Sequence, residues 1–307
     1  MTKLPLIPSP LRPGDCLGVV AASGPPITEL LSDGLRFFEG KGFRVVKGCH
    51  LHERNGYLAG SDDQRCEDLN SMLRNPEVRA ILFARGGYGL MRLLDSIDRQ
   101  AVTNDPKLLL GMSDVTALQL SLYTWCGLVT FAGPMIAGQV AQGLDPISEE
   151  SLIRALTRIA HGRNLFADVR NLIRALRPGH AVGPLMGGCL SLVTALLGTP
   201  HCPDFDGKVL LLEDVNEASY RIDRMLTQLE LAGILKKAAG IVLGYFVGPD
   251  GEDISGEIER IVLELTADDP VPVVSGFPHG HQVPNLTVPI GLTVELDTDK
   301  KLLRVCE

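Results

Sequence analysis

Four short stretches carry residue types able to do chemistry. In "LLLGMSDVTALQLSLYTW", residues 108–125, an apolar run stops at Gly111 and Ser113 and Asp114 follow. Such a serine is either a nucleophile on a strand-to-helix turn, with helix-start N–H groups facing a developing oxyanion, or the cap of a buried helix. The usual G-x-S-x-G elbow is not met, because position 115 is Val. In "ARGGYG", 84–89, adjacent N–H groups at Gly86 and Gly87 can donate to a carbonyl oxygen or a phosphate, and a plain glycine turn is the alternative. The stretch is neither G-x-G-x-x-G nor a Walker loop, which argues against a nucleotide cofactor. "LLLEDVNE", 210–217, places Glu213 and Asp214 where an apolar run ends. Strand alternation puts the two acids on opposite faces, so only one can point into a given cleft. "GFPHGHQVPNLTVPIG", 276–291, holds His279 and His281 in a loop, where a histidine suits a general base. His-x-His can also bind metal, but no companion cluster with metal spacing accompanies it. A serine, an acid and a histidine are the parts of a nucleophilic hydrolase: the hydroxyl needs a base, and the base needs a carboxylate to fix its tautomer.

Elements able to position these groups alternate along the chain. "CLGVVAA" reads as a buried strand, "ITELLSDGLRFFEGKG" as a helix ending in glycine, and "FRVV" as a strand. "SDDQRCEDLNSMLRNP" reads as a helix capped by Ser61. "AILFA" and "KLLLG" read as strands, with a helix after Ser113. Downstream, "KVLLLED" and "AGIVLGYF" read as strands, and "CLSLVTALLG" and "ASYRIDRMLTQLELAG" as helices. The alternation predicts an α/β fold with a parallel sheet covered on both faces. The pattern weakens after His161, which predicts domains at 1–165 and 183–307 joined by a linker region at 166–182. Loops and short strands are expected after Val271.

The bulk numbers narrow the class. The chain has 307 residues and a formal net charge of -8, which argues against a nucleic-acid partner. Seven scattered cysteines without a C-x-x-C pair suit reduced thiols in a cytoplasmic protein. The opening "MTKLPLIPSPLRPGD" lacks the apolar core of a signal peptide. Val115 to Leu144 holds no charged residue, yet its glutamines, Pro134 and glycines read as a buried helix, a strand and a loop, not a membrane span.

Taken together, "GMSDVTALQ", "ARGGYG", "LLLEDVNEASYRIDRMLTQL" and "GFPHGHQVPNLTVPIG" resemble the signature blocks of the LD-carboxypeptidase family of serine peptidases, which includes the microcin C immunity peptidases. "YLAGSDDQRCEDLNSML" and "LRPGDCLGVVAASGP" resemble it too, so the match runs in order from about Leu11 to Gly291. The resemblance implies Ser113 as nucleophile, Glu213 as acid and His281 as base, with His279 outside the chemistry. It implies an oxyanion hole from the backbone N–H groups of Gly87 and Asp114, with Gly86 shaping the loop. Met112 stands where the family often has an aromatic residue. The implied architecture is a Rossmann- or flavodoxin-like N-terminal domain and a smaller C-terminal α/β domain, with the site in the cleft between them. A cytoplasmic homodimer without metal or organic cofactor is implied as well. The implied reaction releases terminal D-Ala from a murein tetrapeptide during peptidoglycan recycling. Two other readings stand beside it: an amidase acting on aminoacyl-nucleotide antibiotics, and a non-catalytic small-ligand binding protein. Arg85 and Arg221 are cations able to meet a substrate carboxylate, though exposed arginines are usually just solvated.

Overall fold

The computed structural model describes residues 5–158, 161–269 and 271–306, so Met1–Leu4 at the head of the opening segment lie outside it. The first half contains strands β1 (Cys16–Val20), β2 (Arg44–Lys47), β3 (Val78–Phe83), β4 (Leu108–Gly111) and β5 (Thr130–Ala132). Between and after them come helices α1 (Thr28–Gly40), α2 (Asp62–Arg74), α3 (Arg99–Asn104), α4 (Val115–Cys126) and α5 (Pro146–Arg158). The five strands pair in parallel in the order β2-β1-β3-β4-β5, which is the flavodoxin-like doubly wound order. Helices on both faces explain why β1 and β4 are apolar and buried throughout, with no polar alternation. The start of α2 follows the sequence closely. Ser61 accepts the Gln64 N–H at 3.2 Å and the Gln64 side chain accepts the Ser61 N–H at 2.9 Å, a reciprocal cap.

The second half adds β6 (Arg174–Arg177), β7 (His180–Cys189), α6 (Leu190–Ala195), β8 (Val209–Val215), α7 (Ser219–Leu231), α8 (Ile234–Lys237), β9 (Gly240–Val247) and α9 (Ser255–Leu265). It closes with β10 (Val273–Ser275), β11 (Val288–Ile290), β12 (Thr293–Asp297) and β13 (Leu302–Val305). Its sheet runs β13-β12-β7-β8-β9-β10-β6, with a parallel centre from β7 to β10 and antiparallel strands outside. The fold is therefore two α/β domains with one sheet each, and both sheets are mixed once β11 is counted.

Two segments cross the division expected from sequence. The 166–182 stretch is not bare linker, since it supplies β6 to the second sheet. β11 leaves the second domain and pairs antiparallel with β5 at the edge of the first sheet. The loop holding both histidines thus starts from β10 in one sheet and ends at β11 in the other. The uncharged run resolves into α4, β5 and a helical turn at Ile136–Val140. Among the described residues no helix is long and apolar enough to cross a membrane.

Candidate active site

β4 ends at Gly111, and α4 begins four residues later. Ser113 sits between them with φ 62°, in the left-handed region that costs a side-chain-bearing residue about 1–2 kcal/mol. The start of α4 holds it there: the Thr116 N–H donates to the Ser113 carbonyl at 2.9 Å and the Val115 N–H to that of Met112 at 3.2 Å. The capping alternative fails in the structure. Asp114 occupies the cap position but makes no side-chain cap bond. Its Oδ2 instead accepts the Ser23 hydroxyl at 2.6 Å and the Leu90 N–H at 2.8 Å. One buried carboxylate thereby ties together the loops that follow β1, β3 and β4. Burial pushes its pKa up against the pull of those hydrogen bonds.

The glycine loop after β3 lies directly against the serine. A Cβ added at Gly86 would stand 2.9 Å from Ser113 Cβ and 3.0 Å from its Oγ. The Gly86 carbonyl is fixed by the Gly24 N–H at 3.0 Å, and Gly87 has a left-handed φ of 115°. Asp114 itself is 1% exposed, and its backbone nitrogen lies 3.8 Å from that same added carbon.

The second domain brings the candidate acid, Glu213, and the candidate base, His281. His281 Nδ1 lies 2.8 Å from Glu213 Oε2, and Glu213 is 1% exposed. This contact assigns the ring proton facing Glu213 to Nδ1 and leaves Nε2 to the cavity. Burial lowers the His281 pKa, but the charge and hydrogen bond of Glu213 outweigh it, and the net shift is upward. Gly280 makes the approach feasible, since any Cβ there would fall 2.6 Å from Glu213 Oε2. The histidine loop is pinned by residues the sequence did not single out. The Gln139 amide donates to the Gly280 and Gln282 carbonyls at 3.3 and 3.0 Å, and the Asn285 amide donates to Gln139 Oε1 at 2.6 Å.

His279 lies apart. It is fully buried, its Nδ1 is 2.8 Å from the Leu286 carbonyl oxygen, and burial lowers its pKa. Among the described residues no group of three or more His, Cys, Asp or Glu is arranged to hold a metal ion.

Ser113, His281, Gly86, Gly87 and Asp214 line one cavity of about 530 Å³ between the two sheets. The either-or expected from alternation holds at the cavity wall: Asp214 lines the cavity, and Glu213 is turned to His281. The extra residue of the β8–β9 register shift lies in β9, where Leu212 pairs with Leu243 and Asp214 with Phe246, so β8 keeps its two-residue period through the two acids. Glu213 stands behind His281, while Asp214 accepts the Ser191 N–H at 2.7 Å and the Val215 N–H at 2.8 Å. Burial and the neighbouring Glu213 charge push the Asp214 pKa up to about 6. Of the two arginines weighed from sequence, Arg85 lines the cavity, whereas exposed Arg221 pairs with Glu217 at 3.4 Å.

This is the architecture of a two-domain α/β serine-type peptidase. Residues 17–133 match the LD-carboxypeptidase N-terminal domain and residues 182–296 the LD-carboxypeptidase C-terminal domain. The chain belongs to the LD-carboxypeptidase family. A probable murein peptide carboxypeptidase of Bacillus subtilis is 39% identical over 298 residues, covering 96% of this chain and 92% of that protein. The murein tetrapeptide carboxypeptidase of Pseudomonas aeruginosa is 32% identical, covering 92% and 94%. Among solved structures, the microcin C7 self-immunity protein MccF, known from Escherichia coli, superposes with a TM-score of 0.89 at 27% identity over 99% of each chain. MccF has also been solved in complex with aspartyl sulfamoyl adenosine.

Proposed function

We propose that this protein is a murein LD-carboxypeptidase that cuts between an L-centre diamino acid and terminal D-Ala, using Ser113, His281 and Glu213 as a catalytic triad. The observation that carries the reading is the 2.8 Å contact between His281 and Glu213 beside a serine held at φ 62°, with Ser113 and His281 facing one cavity. His281 Nε2 takes the hydroxyl proton as Ser113 Oγ attacks the scissile carbonyl, and buried Glu213 stabilises the imidazolium so formed. The backbone N–H groups of Gly87 and Asp114 receive the oxyanion, Asp114 standing at the positive end of α4. The imidazolium then protonates the leaving D-Ala nitrogen as the C–N bond breaks. Water, deprotonated by the same histidine, releases the diamino acid from Ser113 as a carboxylate. The likeness to named murein peptidases over nearly the whole chain supports the substrate class. A homodimer working in the cytoplasm belongs to the same proposal.

A second reading is amide hydrolysis of aminoacyl-nucleotide antibiotics, favoured by the structural likeness to MccF. Side-by-side turnover separates the two. Mass spectrometry of products from purified murein tetrapeptide should show D-Ala and a tripeptide, with Ser113→Ala folded and inert. An active Ser113→Ala protein would sink the mechanism.

A further inference from the structure

Beside the catalytic cavity lies a second pocket of about 470 Å³, lined by Gly24, Pro25, Arg54, Tyr57, Arg85 and Tyr88 among others. Arg85 and Gly87 border both spaces, so a ligand seated at Ser113 can continue into this one. Its place in the fold is informative. The strand order reverses between β1 and β3, since β2 lies on one side of β1 while β3 and its successors lie on the other. Gly24 and Pro25 follow β1, and Arg85 and Tyr88 follow β3. The pocket therefore opens outside the carboxyl ends of the strands at the topological switch point, where doubly wound sheets take their ligands.

Its walls are built, not incidental. Tyr57 stands at the tip of a tight turn in which the Asn55 and Leu58 backbones bond each other at 2.8 and 3.0 Å. The Ala59 N–H ties this turn to the Ser23 carbonyl at 2.9 Å, next to the Gly24 that holds Gly86. Fully buried Arg65 lies beneath, bonded to the Ala22 carbonyl and packed under Gly89 and Leu58. Tyr57 and Tyr88 remain 67% and 48% exposed, with ring centroids 5.9 Å apart and planes tilted by 59°. Two guanidinium groups and two open aromatic faces at the mouth of a peptidase cavity suit an anionic, extended peptide.

We infer that this pocket is the subsite for the acidic residue preceding the diamino acid of the substrate, with its free carboxylate met by Arg54 and Arg85 and its backbone laid against Tyr57 and Tyr88. The inference rests on the murein reading, in which a residue with a free carboxylate stands just before the diamino acid. Arg85 also borders the catalytic cavity, so Arg54 is the cleaner probe.

The test uses the full chain and two murein tetrapeptides, one with that carboxylate free and one with it converted to a carboxamide. Wild type should cleave both and prefer the free acid by about tenfold in KM, the scale of one hydrogen bond to a charged group. Arg54→Ala should cut the preference below about threefold by raising KM for the acid alone, with kcat unchanged. Tyr57→Ala should raise KM for both peptides about equally. A wild-type enzyme indifferent to the carboxylate, or an Arg54→Ala enzyme that keeps its preference above threefold, overturns the subsite and leaves the murein reading standing. A wild-type enzyme that cleaves neither peptide overturns both.

Discussion

Gly86→Ala isolates how closely the glycine loop presses on Ser113. Gly86 has no left-handed φ, so the backbone admits alanine and the effect is one of space alone. The new methyl would lie 2.9 Å from Ser113 Cβ and 3.0 Å from Oγ. Unbonded heavy atoms rest at about 3.5–4.0 Å, so about 0.5–1 Å must be found. Neither side yields easily. The Gly86 carbonyl is bonded to Gly24 and the Ser113 carbonyl to the first turn of α4. The hydroxyl therefore rotates or shifts. A misplacement of about 1 Å costs on the order of 100-fold in rate, or about 2.7 kcal/mol in the barrier. Stability should fall by about 1–3 kcal/mol, as for other small overpacking changes. Initial rates of D-Ala release give kcat/KM, and a thermal melt shows that the variant is folded. A folded Gly86→Ala enzyme within threefold of wild-type kcat/KM would refute the argument.

Further outcomes follow from the same geometry. Ser113→Gly should be more stable to urea than Ser113→Ala by about 0.5–1 kcal/mol, because glycine escapes the left-handed strain and returns only part of it as unfolded-chain entropy; equal midpoints would argue against strain at this turn. The His281 pKa is raised above its ordinary value of about 6.5, so kcat/KM should rise with pH to a midpoint above that value, as the neutral base forms. The sign for stability is opposite: the His281–Glu213 pairing contributes fully below about pH 6.5 and is lost as pH climbs through the folded pKa. Glu213→Gln leaves burial as the dominant influence, so the midpoint should move down and the rate fall by about 10⁴; an unshifted profile would mean that His281 is not the base.

Much of this site is legible in the chain because its parts sit at the ends of apolar runs. The blocks around Ser113, Glu213 and His281 are each short and ordered by local rules, and the Ser61 cap is readable from four residues. What local rules do not carry is register and reach. The extra residue that β9 inserts opposite Leu212–Asp214 depends on how β9 pairs with β8, and nothing in either apolar run announces it. β7 hides because Pro184, Gly187 and Gly188 interrupt its apolar residues, although Gly187 sits against the β8 backbone. Gln139 and Asn285 brace the His281 loop across 146 positions of chain, and nothing in either neighbourhood announces it. α5 and α9 carry no reactive motif, so a motif-led reading passes over them even though both turn an apolar face inward.

The return of β11 to the first sheet bears on how the molecule comes into being during synthesis. Until residues 288–290 emerge, β5 offers an open edge, a template for pairing with another chain. The same late segment closes the loop that carries His281. A ribosome that has finished the first domain thus holds Ser113 without His281 beside an unprotected strand. Under the proposed mechanism, activity switches on only when the segment from His281 to Ile290 docks, and a break between the domains would strand both the chemistry and the edge.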